Sequence, residues 1–432
     1  MKRHLVVLGV VALAAALPAR AGTVAVTGAT VHTAGPLGTL EGATVVIEDG
    51  VIAAVGRGLP VPAGAQVVEA AGKVVTPGLF DAHGYLGIVE VSLVDETADH
   101  QPLGPEYAAA FEVADAINPR SMLIPVNRID GITRAVVSPA AAASLNPATA
   151  PGPISGLGSV IHLGSPDDFL VRRNSALYVH LGEAGAALSG GTRGMALVKF
   201  RAALEDARDM AAHRPAFEAG ERRPYGLDRL ALEALAETLE TGRPVVATVH
   251  RASDIEAALR LAREFDLNLV VNGGAEAWMV ADQLAAAGVP VILDPLENLP
   301  ARFETLGATL ENAARLHAAG VTIAFSVAES HNARNMRQGA GNAVSYGLPY
   351  DAAIAAMTRH PARIFGVEGT SGSIEAGKDA DIVIWSGDPL EVTTAAERVF
   401  IRGRDIPMVS RQTLLRDRYS EISGPLPAQY RR

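Results

Sequence analysis

Short apolar runs alternate with longer amphipathic segments across the middle of the chain. The apolar runs are five to seven residues long, which is typical of buried strands. The amphipathic segments combine alanine and leucine with charges spaced as on a helix, as in Arg201 and Glu205. Such alternation is what a βα barrel requires, so we expect an α/β fold. The strand-like runs are 132–137, 159–163, 244–250, 267–271, 289–293 and 321–326, and the helix-like segments are 195–212, 227–241 and 253–264.

A different pattern, of short β-like runs separated by turns, lies on both sides of this region. The runs are apolar and β-branched, and turn residues such as Glu48-Asp49-Gly50 and Gly56-Arg57-Gly58 separate them. By themselves these runs fit any small β-sandwich. The runs are 24–26, 44–47, 51–55, 66–68, 372–385 and 398–403.

Composition excludes several classes of function. Of the 432 residues 49% are hydrophobic, which allows a large core and a barrel with a smaller domain. The net charge is −10 and there is no basic cluster, so we do not expect binding to nucleic acid or to an anionic membrane. The sequence contains no cysteine, which rules out disulfides, thiol chemistry and a lipoprotein anchor.

The first 21 residues have the layout of a secretory signal peptide. A basic start, Met1-Lys2-Arg3-His4, precedes an apolar run from Leu5 to Leu17 and a small-x-small site, Ala19-Arg20-Ala21. The apolar run of 13 residues is too short to span a bilayer. We therefore expect removal of residues 1–21 and export of a mature chain without a membrane span, to the periplasm or out of the cell.

One stretch, from Val74 to Gly87, has the clearest chemical content. It runs from an apolar β-rich segment through Pro77-Gly78 to Asp81-Ala82-His83. That order suits a buried strand whose C-terminal end carries a polar group into a cavity. The mouth of a (β/α)₈ barrel is built from the C-terminal ends of its strands, so a histidine at this position indicates function.

This stretch resembles the metal-dependent amidohydrolase superfamily, in which a segment like Pro-Gly-Leu-Ile-Asp-x-His-x-His ends the first barrel strand. The segment from Gly372 to Asp381, Gly-Ser-Ile-Glu-Ala-Gly-Lys-Asp-Ala-Asp, resembles a signature of the accessory domain in the same superfamily. The resemblance covers residues 23 to about 405 and is closest to the secreted, imidazolonepropionase-like amidohydrolases. It implies a (β/α)₈ TIM-like barrel at 77–365, a small composite β-sandwich domain built from 23–76 and 366–405, and a C-terminal tail at 406–432.

The resemblance also implies a metal centre at the barrel mouth that hydrolyses C–N bonds. In the superfamily two histidines follow strand 1, a lysine or glutamate follows strand 4, single histidines follow strands 5 and 6, and an aspartate follows strand 8. His83 and His250 match the first strand-1 histidine and the strand-5 histidine. They are the predicted ligands of a divalent metal, with zinc the expected ion.

Four of the superfamily ligands are replaced, which predicts a degenerate metal site. Tyr85 stands at the second histidine of strand 1, and Tyr178 stands at the strand-4 lysine. Gly273 stands at the strand-6 histidine, and Ser326 stands at the strand-8 aspartate. A phenol with a pKa of about 10 is a poor ligand at neutral pH, and serine cannot carry a proton as a carboxylate does. The possible extra ligands are His180, Glu183, Glu329 and His331.

These features leave three functions open. The first is an exported hydrolase of amides or cyclic amides, with a reduced metal centre of His83, His250 and a third ligand. The second is a catalytically inactive, metal-free barrel that binds a small molecule or serves as partner subunit of an active amidohydrolase. The third is metal-free acid–base catalysis by His83, Tyr85 and His250. Amidohydrolase relatives are often dimers, so a homodimer is expected by analogy.

Overall fold

The computed structural model describes residues 22–102, 107–141 and 152–420. The predicted signal peptide, residues 1–21, lies outside the described residues, as does the end of the predicted C-terminal tail, residues 421–432. The described chain contains two β-sheets, one curved into a barrel and one open.

Strands and helices follow each other along the chain in this order. The strands are β1 (Val24–His32), β2 (Thr39–Glu48), β3 (Val51–Arg57), β4 (Gln66–Glu69), β5 (Val74–Pro77), β6 (Leu79–Gly84), β7 (Ile132–Val137), β8 (Ile154–His162), β9 (Leu170–His180), β10 (Val245–Val249), β11 (Leu269–Gly273), β12 (Val291–Leu293), β13 (Ile323–Phe325), β14 (Ile382–Trp385), β15 (Ala396–Ile401) and β16 (Arg404–Asp405). The helices are α1 (Leu123–Arg128), α2 (Glu183–Ala187), α3 (Arg193–Ala212), α4 (Arg214–Glu218), α5 (Arg229–Thr241), α6 (Ala252–Phe265), α7 (Ala281–Ala286), α8 (Asn312–Ala318), α9 (Met336–Ser345), α10 (Tyr350–Ala356), α11 (Arg359–Ile364) and α12 (Arg411–Ser420). In the described ranges, no helix has both the length and the hydropathy needed to cross a membrane.

The barrel consists of strands β6 to β13, which are neighbours in chain order. Strands β9 to β13 are parallel, and β13 lies beside β6, so the sheet is nearly closed. The predicted TIM-like barrel is confirmed, with one difference: β8 runs antiparallel to both β7 and β9. The short connection 163–169 between β8 and β9 explains it, because parallel neighbours need a crossover of about a dozen residues or more.

Apolar side chains fill the barrel interior, and residues of the opposite parity pack against the surrounding helices. Ile364 and Phe365, at the end of α11, pack against the interior set. Helix α11 also holds the start of β13, because Nδ1 of His360 lies 2.8 Å from the carbonyl oxygen of Ile323. The N-terminal end of the barrel is thereby filled, and the strand C-termini form the opposite end. The interior set includes Phe80, Ala82, Val136, Val160, Ala176, Tyr178, Val246, Val270, Ile292 and Ala324.

The open sheet joins the two ends of the chain. Its strands lie in the order β16-β15-β14-β5-β1-β2-β3, with β4 paired to β1. Strand β5 is antiparallel to β14, with Val75 opposite Ile384. Residues from both chain ends, such as Val45 and Ile382, form its core. This separate β-sheet domain confirms the prediction that the two ends combine.

A buried ion cluster connects the barrel to the β-domain. Arg134 on β7 is 1% exposed, and it donates through Nε to Asp381 at 2.6 Å and through Nη2 to Asp379. Asp381 also accepts the backbone N–H of Arg402 at 2.8 Å. Burial lowers the pKa of Arg134, but the charges of Asp381 and Asp379 outweigh burial and leave this pKa raised. We call Arg134, Asp379 and Asp381 the junction cluster.

Candidate active site

A cavity of about 500 Å³ lies at the C-terminal ends of the barrel strands. Its volume is within the range of small-molecule sites, about 300–1,000 Å³. Both its size and its position at the strand ends are those of a binding site in this fold. The polar side chains that line it are His83, Tyr85, His180, Thr248, His250, Asn272, Asp294, Glu297, Asn298, Arg302 and Ser326.

The register of the parallel strands explains why these side chains meet. His180 of β9 is opposite Thr248 of β10, and Thr248 is opposite Asn272 of β11. The three therefore form one layer of inward-pointing side chains, directly above the apolar layer of the interior. His250 follows Thr248 by two residues and lies at the mouth. The Nδ2 of Asn272 donates to Thr248 Oγ1 at 3.1 Å, which fixes both side chains.

Several buried polar atoms at this end have no hydrogen-bond partner among the described residues. They include Oδ2 of Asp81 and Nδ1 of His250, and also four atoms on three further rings: Nδ1 of His83, both ring nitrogens of His180 and the hydroxyl of Tyr178. We call these four the open polar atoms. A buried polar group without a partner costs about 1–3 kcal/mol, and in a native protein it commonly marks the place of a water, ion or ligand.

The rings that carry these atoms are close together. The ring of His83 lies 5.7 Å from that of Tyr178 and 5.9 Å from that of Tyr85, measured between centroids. Burial, and to a lesser degree the charge of His180, lower the pKa of His83 to about 4. Burial also lowers the pKa of His180 to about 4. Both imidazoles are therefore neutral at pH 7, and each has a nitrogen lone pair that can accept a proton or bind a metal.

Tyr85, which lines the cavity, and Tyr178, in the barrel interior, both stay protonated. Burial, followed by the charge of Glu329, raises the pKa of Tyr85 to about 12. Burial raises the pKa of Tyr178 well above its ordinary value, and the nearby Tyr85 and Asp81 raise it further. A phenol in this state can donate a hydrogen bond, but it is a poor metal ligand.

His250 lies between an acid and a base from the loop that follows β12. Its Nδ1 is 3.5 Å from Oε2 of Glu297, and its Nε2 is 3.5 Å from Nη2 of Arg302. Arg302 also contacts Glu297, with 3.2 Å between Nη2 and Oε1. Burial raises the pKa of Glu297, but the interactions with His250 and Arg302 outweigh burial and leave this pKa lowered. Glu297 is therefore ionised at neutral pH.

The ring of His250 lies against Gly273, the residue that was predicted to replace the strand-6 histidine. A Cβ atom on Gly273 would be 2.5 Å from Cε1 and 2.7 Å from Nε2 of His250. The backbone φ of Gly273 is +91°, a conformation that disfavours other residues. A histidine at 273 would collide with the present position of the His250 ring.

Ser326 stands at the strand-8 aspartate position and binds a carboxylate from strand β6. Its Oγ donates to Oδ1 of Asp81 at 2.8 Å and also lies against the carbonyl oxygen of His83. Burial raises the pKa of Asp81 to about 7, while the hydrogen bonds from Ser326 and from the His83 N–H lower it. Ser326 thus connects the end of β13 to the segment that carries His83.

The predicted site residues divide into two groups. His83, His250 and His180 line the same cavity. Glu183 lies outside the cavity lining and contacts Arg193, with 3.3 Å between its Oε1 and Nη2 of the arginine. Glu329 and His331 are half exposed, and their nearest charged atoms are 3.9 Å apart. Metal binding by any of these residues stays a prediction.

Three charged residues of the site, Asp294, Glu297 and Arg302, were missed by the sequence analysis. They lie in the loop after β12, whose sequence has no motif and no periodic pattern. The available signal was their position after the seventh barrel strand, since loops at strand C-termini build the mouth.

Comparisons with known proteins agree with this geometry. Residues 198–409 match the sequence model of the amidohydrolase family. An amidohydrolase from Thermotoga maritima MSB8 superposes with a TM-score of 0.78 and 27% identity, over 89% of this chain and 99% of that one. Amidohydrolase tasK of Hapsidospora irregularis is 27% identical over 388 residues, which is 83% of this chain and 39% of that protein. An imidazolonepropionase from Mycolicibacterium smegmatis is 49% identical over 53 residues, 12% of this chain and 13% of that protein.

The chain is similar to the amidohydrolase family over residues 198–409, which include the barrel strands β10 to β13. The likeness to the imidazolonepropionase is confined to a short segment. The chain spans about two fifths of the length of the tasK amidohydrolase that it matches.

Proposed function

We propose that the barrel mouth binds a small amide or cyclic amide and that the protein hydrolyses its C–N bond. The observation that carries the proposal is the pair His83 and His180, two neutral imidazoles with open polar atoms beside one cavity of about 500 Å³. Similarity to the amidohydrolase family supports the type of reaction.

The family usually uses divalent metal ions, and the residues at the barrel mouth meet only part of what such an ion needs. The donor type is suitable, because zinc accepts neutral imidazole nitrogens. The placement is not suitable: within residues 22–102, 107–141 and 152–420, no three His, Asp or Glu side chains are close enough to hold one ion. The residues present do not form the superfamily's metal centre, so we assign no step to a metal. Metal binding by His83 and His250 stays a prediction for measurement.

The side chains at the mouth can perform parts of the reaction themselves. A neutral imidazole can take a proton from an attacking water and return it to the leaving nitrogen. His83 and His180 are in this state at pH 7. The protonated hydroxyl of Tyr85, which lines the cavity, can donate a hydrogen bond to the carbonyl oxygen, where negative charge develops in the transition state.

The test combines metal analysis with a substrate screen. The protein is purified without chelator, its bound metal is measured, and amides, cyclic amides and dipeptides are tested for hydrolysis. His83→Ala and His180→Ala should each reduce hydrolysis by about 100-fold or more, which is the usual effect of losing a proton-transfer group. His213→Ala is the matched control, since His213 is half exposed and lies outside the cavity lining, and it should keep full activity. Unchanged hydrolysis in both cavity variants would contradict the proposal.

Binding without catalysis is a second candidate, and the position of His250 favours it. His250 matches a superfamily ligand, yet both of its nitrogens lie 3.5 Å from charged groups of the neighbouring loop. In this case a small amide would bind in the cavity without turnover, and His180→Ala would weaken its binding. A role as the partner subunit of an active amidohydrolase belongs to the same candidate.

We also propose that the protein is exported from the cytoplasm. The basic, apolar and small-residue segments of residues 1–21 support it. The protein recovered from the periplasm or the medium should begin at residue 22 when its N-terminus is sequenced. Recovery of the whole chain, including Met1, from inside the cell would contradict export.

A further inference from the structure

We propose that Arg302 is the resident cation of the barrel mouth: its guanidinium occupies the place at His250 that a metal ion would need, and it keeps metal out. This inference concerns metal binding and does not depend on the hydrolysis proposed above. It accounts for two facts together: the chain keeps the strand-5 histidine, but in the described residues no three potential metal ligands lie close enough to hold an ion.

The contacts of His250 are the first support. A metal on Nε2 would use the lone pair of that nitrogen and would lie about 2 Å from it. Nη2 of Arg302 is 3.5 Å from the same nitrogen and can donate a hydrogen bond to this lone pair. A divalent ion there would stand next to a positive charge in a partly buried site, where like charges repel strongly.

The anchoring of Arg302 is the second support. Its Nη2 is 3.2 Å from Glu297, and its Nη1 is 3.8 Å from Glu304, which is 3% exposed. The backbone is also fixed, because the N–H of Arg302 donates to Oγ1 of Thr305 at 3.2 Å and the N–H of Thr305 donates to the carbonyl of Arg302 at 3.1 Å. The side chain is 49% exposed, and these contacts at both of its ends keep its charge beside His250.

The replaced strand-6 residue is the third support. The ring of His250 fills the space beside Gly273, where a Cβ would be 2.7 Å from Nε2. The loss of the strand-6 histidine and the present position of His250 therefore belong to one arrangement. In that arrangement Nε2 of His250 faces Arg302, and the neighbouring Glu297 balances the charge of the arginine.

Zinc binding, measured by calorimetry on the purified protein, tests the proposal without any substrate. The wild type should bind Zn²⁺ weakly, and Arg302→Gln should bind it about tenfold more tightly or better, because the lone pair of His250 is released. Adding His250→Ala to Arg302→Gln should remove that gain. Arg173→Gln is the matched control, since Arg173 is 46% exposed and also pairs with two acids, Glu112 and Asp115.

Tight stoichiometric zinc binding by the wild type would overturn the proposal. A gain in zinc affinity in Arg302→Gln that persists after His250→Ala would also overturn it. Equal zinc affinity in the wild type and Arg302→Gln would overturn it as well. Arg302→Lys separates charge from folding, since it keeps a cation at the site and should keep zinc binding weak. Tight zinc binding by a folded Arg302→Lys protein would show that charge is not what excludes the metal.

Discussion

The junction cluster and the barrel mouth are both buried and polar, but their groups are paired very differently. In the junction cluster Arg134 contacts two carboxylates through Nε and Nη2, with only its Nη1 lacking a partner in the described chain, and Asp381 also accepts a backbone N–H. At the mouth the four open polar atoms have no hydrogen-bond partner within the described chain. The two regions lie in one fold, so general stability does not account for the difference.

The comparison shows that buried polar groups have two different roles in this protein. A buried charge is tolerated when opposite charges and hydrogen bonds surround it, and removing one partner then costs far more than the pair contributes. A buried polar atom without a partner lowers stability, and proteins keep such atoms where a ligand will pair with them. The junction cluster fixes the β-domain to the barrel, whereas the mouth keeps groups available for a bound molecule.

Breaking the junction cluster should have the largest effect on stability. Arg134→Met leaves the buried Asp381 without its cation, and we expect a loss of about 3–5 kcal/mol in the free energy of unfolding. Urea denaturation followed by circular dichroism measures it. Arg173→Met is the control: its two partners are at the surface, so a loss of about 1 kcal/mol or less is expected. Similar losses in both variants would show that the junction cluster stabilises the protein no more than a surface ion pair does.

Alanine substitution of two glycines, Gly273 and Gly190, tests the close contact between Gly273 and His250. Gly273→Ala should cost about 1–2 kcal/mol for its left-handed backbone and about 1–3 kcal/mol more for the collision with His250. Gly190 has the same φ of +91°, but nothing in the described structure lies within 4 Å of a Cβ built there. Gly190→Ala should show the backbone cost alone. Equal costs from thermal unfolding of the two variants would mean that His250 moves away freely.

Two buried histidines sharpen the contrast between paired and open groups. His162 is paired, since its Nε2 lies 2.8 Å from the carbonyl oxygen of Asp168 and its Nδ1 accepts the N–H of Gly164 at 3.0 Å. His162→Leu should therefore cost about 1–3 kcal/mol. His180→Leu should leave stability unchanged or raise it by about 1 kcal/mol while weakening ligand binding. A large loss of stability in His180→Leu would show that its ring is structural.

The acid sensitivity of the mouth gives the smallest expected effect. The folded pKa of His180 is about 4, and the unfolded value is roughly 6.5, so between these values the unfolded chain binds more protons. Stability therefore falls as the pH drops from about 6.5 towards 4, by roughly 1–2 kcal/mol per histidine at pH 5. Urea denaturation at pH 7 and pH 5 should show a smaller loss in His180→Leu than in the wild type. Equal losses would contradict the lowered pKa of His180.

The sequence was informative where a residue's surroundings are local in the chain. His83 lies at the C-terminal end of β6 and His250 directly follows β10, so their place at the strand ends could be predicted from the pattern. The parity of His180 with Tyr178 likewise follows from the alternation of side chains along a strand. The reversal of β8 was missed, because an apolar run has the same appearance in either direction.

The sequence could not predict which residues contact His250. Arg302 is 52 positions away from it, and the loop that carries Arg302 and Glu297 has no pattern that distinguishes it from a solvated connection. The contact between Ser326 and Asp81 spans 245 positions in the same way. Such contacts depend on the curvature of the barrel, which brings the ends of distant strands together.

The sequence alone determined the barrel and the composite β-domain, because these depend on periodicity and on local motifs. The tertiary structure decided which of the polar side chains meet: it placed His180 beside His83, directed Glu183 to Arg193 and brought Arg302 to His250. The physical reason is that strand patterns are set by neighbouring residues, while the charge and pairing at a barrel mouth are set by loops that are far apart in the chain and converge only when the sheet closes.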